Sequence, residues 1–224
     1  MPSFGQQFLE SALGIGALKL LPKGERSDND RESPYYYDSG LYFTGRYLSE
    51  LSLAYAQKIS SVMDLKKIPK LVLYGPASKG TILAPAVAMQ LHQLGHEVSF
   101  ASNQKGVRAN GKAGTLIGSS LEEAEVVIID DVITNGETKA EAVEFVNAHG
   151  GRVIAIMIAF DRQERFKDTA KSAVQLFQQK YGVPVLALAN SQDLIALLEQ
   201  DTNFAGNSQA MLAKVKEYYQ EYGV

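Results

Sequence analysis

Apolar positions along this chain follow two alternating rhythms. From residue 70 onward, short apolar runs at 70–74, 97–101, 126–129, 153–160 and 185–188 read as strands. The run at 126–129 is wholly β-branched, the pattern of a strand covered on both faces. Longer stretches at 81–94, 137–149, 170–181, 191–199 and 208–222 repeat their apolar positions every third or fourth residue and read as helices. Gly95 and Gly150-Gly151 act as stops. Strands separated by helices predict right-handed crossovers and a mainly parallel sheet flanked by helices, an α/β fold with ligands at the carboxyl ends of the strands. The N-terminal part has another texture. Residues 4–21 read as a helix with Phe8, Leu9, Ala12 and Leu13 on one face, 22–34 as a polar loop, 35–42 as an aromatic strand and 45–62 as a helix. The stretch 102–114 is polar and glycine-rich, with no periodic core face.

Composition narrows the function classes. The 224 residues are 46% hydrophobic and 21% charged, enough for one sizeable core. A formal net charge of -3 provides no field to hold nucleic acid or an anionic membrane, so a phosphate ligand must be met by local devices. The absence of cysteine excludes disulfides, thiolate metal sites and cysteine nucleophiles. His92 and His96 share only an i, i+4 spacing, and a zinc pair there would need further ligands, so they read as a surface helix end rather than a metal site. No apolar run reaches membrane-span length and the N-terminus lacks a secretory pattern, so a cytoplasmic protein is expected, with no membrane or nucleic-acid partner.

The chemistry concentrates at 126–140. Four β-branched residues lead into Asp130 and Asp131, and Val132, Ile133, Thr134, Asn135, Gly136, Glu137 and Thr138 then turn into a helix. Backbone N–H groups at such a turn, with the Thr134 and Thr138 hydroxyls, suit a phosphate. Two carboxylates beside it suit sugar hydroxyls, which donate hydrogen bonds to them. The pattern therefore asks for a phosphorylated sugar. It is not a Walker loop, because no Gly-Lys-Ser/Thr follows.

This segment resembles the phosphoribosyl pyrophosphate (PRPP) motif of type I phosphoribosyltransferases. Residues 33–46 (Ser-Pro-Tyr-Tyr-Tyr-Asp-Ser-Gly-Leu-Tyr-Phe-Thr-Gly-Arg), 75–80 (Gly-Pro-Ala-Ser-Lys-Gly), 161–165 (Asp-Arg-Gln-Glu-Arg) and 193–195 (Asp-Leu-Ile) resemble blocks of orotate phosphoribosyltransferases, in family order over nearly the whole chain. The resemblance implies a type I fold as a single domain, 1–224, with an N-terminal hood over 1–45. It implies transfer of a 5-phosphoribosyl group from PRPP to orotate, giving orotidine 5′-phosphate and pyrophosphate on the route to UMP. Ser78 and Lys79 are implied at the pyrophosphate, residues 130–138 at the sugar phosphate with Asp131 catalytic, and Tyr36, Tyr37, Thr134 and Arg162 at orotate. Mg²⁺ is expected to be held chiefly by PRPP oxygens and waters, with no dedicated protein metal site. A homodimer is implied, with the mobile loop 103–114 crossing into the partner's site.

Two stretches depart from the family pattern. The loop carries Gln104, Lys105, Arg108 and Asn110 where the family has arginine, lysine, lysine and histidine, with Lys112 an added cation; Lys105 and Arg108 are the expected catalytic cations. Arginine supplies charge but cannot donate a proton near neutrality. In the N-terminal loop either Asp28 or Arg26 stands at the position of a PRPP-binding lysine. Transfer to another base, or a PRPP-binding regulatory protein with an impaired loop, therefore remain alternatives.

Overall fold

The computed structural model describes residues 4–26, 31–77, 79–104, 115–200 and 209–224, with the side chains of Arg26, Gln104 and Thr115 left out. Helix α1 (Phe4–Gly14) precedes an antiparallel hairpin, β1 (Leu18–Arg26) with β2 (Glu32–Tyr37), and helix α2 (Gly45–Val62). The alternating part follows: β3 (Leu71–Gly75), α3 (Gly80–Gln93), β4 (Ser99–Gln104), β5 (Thr115–Gly118), β6 (Glu125–Ile129) and α4 (Glu137–Ala148). It continues with β7 (Arg152–Asp161), α5 (Ala173–Tyr181), β8 (Val185–Asn190) and α6 (Ser191–Gln200), and α7 (Gln209–Tyr222) closes the chain.

Six strands form one sheet in the order β5-β4-β3-β6-β7-β8, parallel except for β5. The expected α/β architecture with a mainly parallel sheet is thus present. Each face of this sheet carries its own core. Leu71, Leu73, Val127 and Ile129 pack with α1, α2 and α3 on one side, while Val72, Tyr74, Val126 and Ile128 pack with α4 and α5 on the other. That is why β6 is apolar from Val126 to Ile129. The strand order reverses at β3, whose neighbours β4 and β6 lead the chain off in opposite directions. The loops after β3 and β6 therefore border a crevice at the carboxyl edge.

Three expectations change. The helix over 4–21 stops at Gly14, and Gly16 at φ 75° turns the chain into β1. Residues 22–34 are not a simple loop, because β1 runs through Pro22. Between the pairs Leu20↔Tyr35 and Glu25↔Ser33, residues 21–24 bulge opposite Pro34, which has no N–H to give the ladder. The strand expected over 35–42 ends at Tyr37, and Ser39–Leu41 forms one 3-10 turn.

Candidate active site

The β3–α3 turn shows how the backbone is shaped at this edge. A Cβ on Gly75 would sit 1.9 Å from the Gly80 carbonyl oxygen, and one on Gly80 would sit 2.6 Å from that of Ile129. Only glycine at 75 and at 80 allows these close approaches of backbone to backbone. Lys79 leaves this turn with its Nζ 3.4 Å from Asp38 Oδ1, both side chains about two-fifths exposed. Ser78 lies outside the described residues, while the neighbouring Ala77 N–H donates to Asn103 Oδ1 at the end of β4.

The two carboxylates after β6 diverge. Asp130 is 5% exposed. Its Oδ2 lies 2.6 Å from Lys139 Nζ and its Oδ1 accepts the Asp131 N–H at 3.0 Å. Burial raises its pKa above the ordinary carboxylate range, and the Lys139 ammonium opposes that rise. Asp131 faces the open side. Its Oδ1 accepts the Val132 N–H at 2.8 Å and its Oδ2 accepts the Ser39 hydroxyl at 2.7 Å. So the 38–40 turn of the N-terminal part reaches both Lys79 and Asp131 at the sheet edge. Beyond them, Thr134, Asn135, Glu137 and Thr138 are exposed around Gly136, whose φ of 81° starts α4. The Asn135 side chain accepts the Glu137 N–H at 3.1 Å, and Val132 and Ile133 are partly buried.

Arg162 follows β7, the neighbour of β6. Thr134, Ile133, Asp161, Arg162, Glu164 and Ser172 line one shallow pocket. The Arg162 Nε donates to Glu164 Oε1 at 2.9 Å, and Glu164 is held in turn by the Tyr35 hydroxyl at 3.3 Å. Tyr35 also meets Ser191 at 2.9 Å. The ion pair of Arg162 with Glu164 is present at 2.8 Å, and the Arg162 side chain, 22% exposed, lines the pocket.

Strand alternation separates the tyrosines. Tyr36 is 47% exposed, whereas the Tyr37 ring packs between Phe8 and Phe160. A flat ligand therefore has the Tyr36 face available, and Tyr37 belongs largely to the core. Lys105, Arg108, Asn110 and Lys112 lie outside the described residues, as do Asp28 and the side chains of Gln104 and Arg26. Among the described residues no group of three or more acidic, histidine or cysteine side chains could cage a metal. No described helix is long and apolar enough to cross a membrane. His92 pairs with Glu97 at 2.7 Å on the surface, as a helix end allows.

Sequence reasoning missed Lys139, Ser39 and Tyr35 as parts of this edge, whereas Glu164 was readable as a partner for Arg162. Lys139 left a signal. The buried positions of α4 are Lys139, Ala142, Val143 and Val146, so a lysine opens the helix's apolar stripe.

A crevice at a strand-order reversal, a turn into a helix N-terminus and a half-buried carboxylate beside it fit a protein that handles a phosphorylated sugar. The model of the phosphoribosyl transferase domain matches residues 44–188. Orotate phosphoribosyltransferase of Bordetella petrii is 40% identical over 97% of this chain and 95% of its own length. That of Laribacter hongkongensis is 39% identical over the full length of both. The crystal structure of orotate phosphoribosyltransferase from Francisella tularensis covers 97% of this chain and 99% of its own, with a TM-score of 0.82 at 28% identity. The chain belongs to the orotate phosphoribosyltransferases, pentosyltransferases that move the phosphoribosyl group of PRPP onto orotate.

Proposed function

We propose a division of labour among this chain's residues for that transfer. The N-terminus of α4 with Thr134 and Thr138 takes the 5′-phosphate, its free N–H groups and dipole favouring an anion. Asp131 accepts the ribose hydroxyls, exchanging the Ser39 hydroxyl for a sugar hydroxyl of the same chemistry. Lys79 and the turn bearing Ser78 meet the pyrophosphate, and the partly exposed Arg162 side chain meets the orotate carboxylate. Tyr36 offers its ring to the base, and Thr134 reaches both ligands.

Positive charge builds on the ribose as pyrophosphate leaves and the orotate ring nitrogen bonds to its anomeric carbon. Asp131 beside the sugar stabilises that charge, while Lys79, Lys105 and Arg108 stabilise the departing anion. Mg²⁺ fits this edge as an ion carried by the substrate, because Asp131 is the carboxylate on its open side; it neutralises pyrophosphate charge. We assign the chain to a single domain with a hood over 1–45, and the active unit to a cytoplasmic homodimer in which residues 103–114 serve the partner's site.

The observation that carries this reading is the meeting of Thr134 and Arg162 in one pocket, from adjacent strand ends. Its test follows orotate loss by ultraviolet absorbance with PRPP and Mg²⁺. Arg162→Ala should raise the KM for orotate about tenfold or more, as expected for a lost charged hydrogen bond, and leave the KM for PRPP within about twofold. Equal losses for both substrates, or a loss with uracil or hypoxanthine equal to the loss with orotate, would refute the assignment of Arg162.

A further inference from the structure

Lys139 is a costly residue for packing alone. Its side chain is 8% exposed and that of Asp130 6%, so both charges have left water. Such pairs seldom add stability over an apolar side chain of similar size, because desolvation consumes the attraction. The rest of the α4 stripe, Ala142, Val143 and Val146, is apolar, and another apolar residue would continue it. What the pair does supply is position. Asp130 directly follows β6 and Lys139 lies in the first turn of α4, so their 2.6 Å contact closes the loop that spans the proposed phosphate turn. Each end is held again. The Asp130 backbone carbonyl accepts the Tyr55 hydroxyl at 2.8 Å, and its N–H donates to Met157. Its side chain meanwhile fixes the Asp131 N–H. Both carboxylate oxygens of Asp130 are thereby committed, whereas Asp131 remains free to exchange a partner.

We infer that Lys139 is a positioning residue of the sugar–phosphate site: by holding Asp130 it sets the turn at 132–136 and the direction of Asp131, without touching substrate. This rests on the reading that PRPP binds at that turn. Sugar recognition then falls to Asp131, and Asp130 braces it from behind. The consequence is a specific coupling. Removing one member of the pair strands the other as an uncompensated buried charge, and the turn must shift to admit water or a counterion. Removing both charges leaves no such demand.

The test uses the full chain in five forms besides the parent: Lys139→Met, Lys139→Arg, Asp130→Asn, the double Asp130→Asn/Lys139→Met, and Asp131→Asn. KM values for PRPP and orotate are read with Mg²⁺ present, alongside melting temperature. Lys139→Met should raise the KM for PRPP about tenfold or more and change that for orotate by less than about threefold. Lys139→Arg should recover part of the loss, and the double variant should bind PRPP better than either single. Losses that simply add in the double variant overturn the inference, as do equal losses for both substrates. If Lys139→Met does not fold, the double variant is compared with Asp130→Asn: a lower PRPP KM in the double supports the coupling, and an equal or higher one overturns it. Asp131→Asn separates the two readings. An unchanged PRPP KM there removes the site assignment itself, whereas a raised one beside an unaffected Lys139→Met removes only the role of Lys139.

Discussion

Asp161 is a carboxyl group that the fold half-buries without an ion-pair partner among the described residues. It ends β7 directly before Arg162, its Oδ1 accepts the Gln163 N–H at 2.9 Å, and no ion pair reaches it among the described residues. Burial raises its pKa, the Gln163 N–H lowers it in part, and Glu164 adds a small further rise. The folded protein therefore binds this proton more tightly than the unfolded chain does. Stability linked to Asp161 is fully present below the unfolded carboxyl pKa of about 4 and is lost as pH rises through the folded value. At neutral pH the ionised group is a liability. Asp161→Asn keeps an oxygen for Gln163 and removes the charge, so it should raise the melting temperature at pH 7, with a gain that fades toward pH 4. Melts of both proteins across that range check it, and a gain that grows as pH falls would contradict the burial argument. Gln163, at φ 51°, marks the same corner as one where local comfort is given up. A more stable Asp161→Asn protein with a raised orotate KM would fit that pattern.

At the scale of elements, α5 is set by its cap. The Ser172 hydroxyl accepts the Gln175 N–H at 3.1 Å and the Gln175 side chain accepts the Ser172 N–H at 3.0 Å, a complete capping box. Ser172→Ala should cost about 1 kcal/mol, or roughly 2–4 °C in a domain of this size, read from thermal or denaturant midpoints. A change within error would mean that the bridge to Arg165, not the cap, fixes the helix start. Such elements were legible because their signals are local. Strands β3, β6 and β7 sit inside the sheet and carry apolar residues on both faces, and each helix shows its period. The hairpin was misread because Pro22, Gly24 and Pro34 are turn residues by any local rule, yet here they form a bulge inside paired strands. Strand β5 was missed, being four residues of antiparallel edge that alternate no clear face. The site divides in the same way. Lys79, Asp131, Thr134 and Arg162 stand at strand ends and could be read from their motifs. Ser39 meets Asp131 across 92 positions and Tyr35 meets Glu164 across 129, contacts that no local pattern encodes.

At the scale of the molecule, one edge is apolar where solvent would meet a lone chain. Ile82 and Met89 lie seven residues apart on the outer face of α3, 58% and 67% exposed. Phe100 stands opposite Leu73, which packs under α3, and Ile117 pairs with Ser102 two positions further along the same edge. Their exposures are 42% and 47%. Strands β4 and β5 also flank residues 105–114, the stretch proposed to serve a second subunit. An apolar edge continuous with that stretch is what a two-fold interface requires, since the same patch must meet itself. Ile82→Asp with Met89→Asp should therefore shift the protein toward monomer in sedimentation and reduce turnover with it. Sharing of sites is checked separately by mixing two impaired chains, assayed at orotate well below the parent KM, where a KM raised about tenfold leaves about a tenth of the activity. Arg162→Ala spoils a chain's own base pocket, and Arg108→Ala spoils the loop it lends. After unfolding and refolding together in equal amounts, half of all dimers pair one of each, and one of the two sites in such a dimer is intact. Activity should then return to about a quarter of the parent value. If the mixture gives only the mean of the two impaired proteins, each chain closes its own site and the edge serves some other contact.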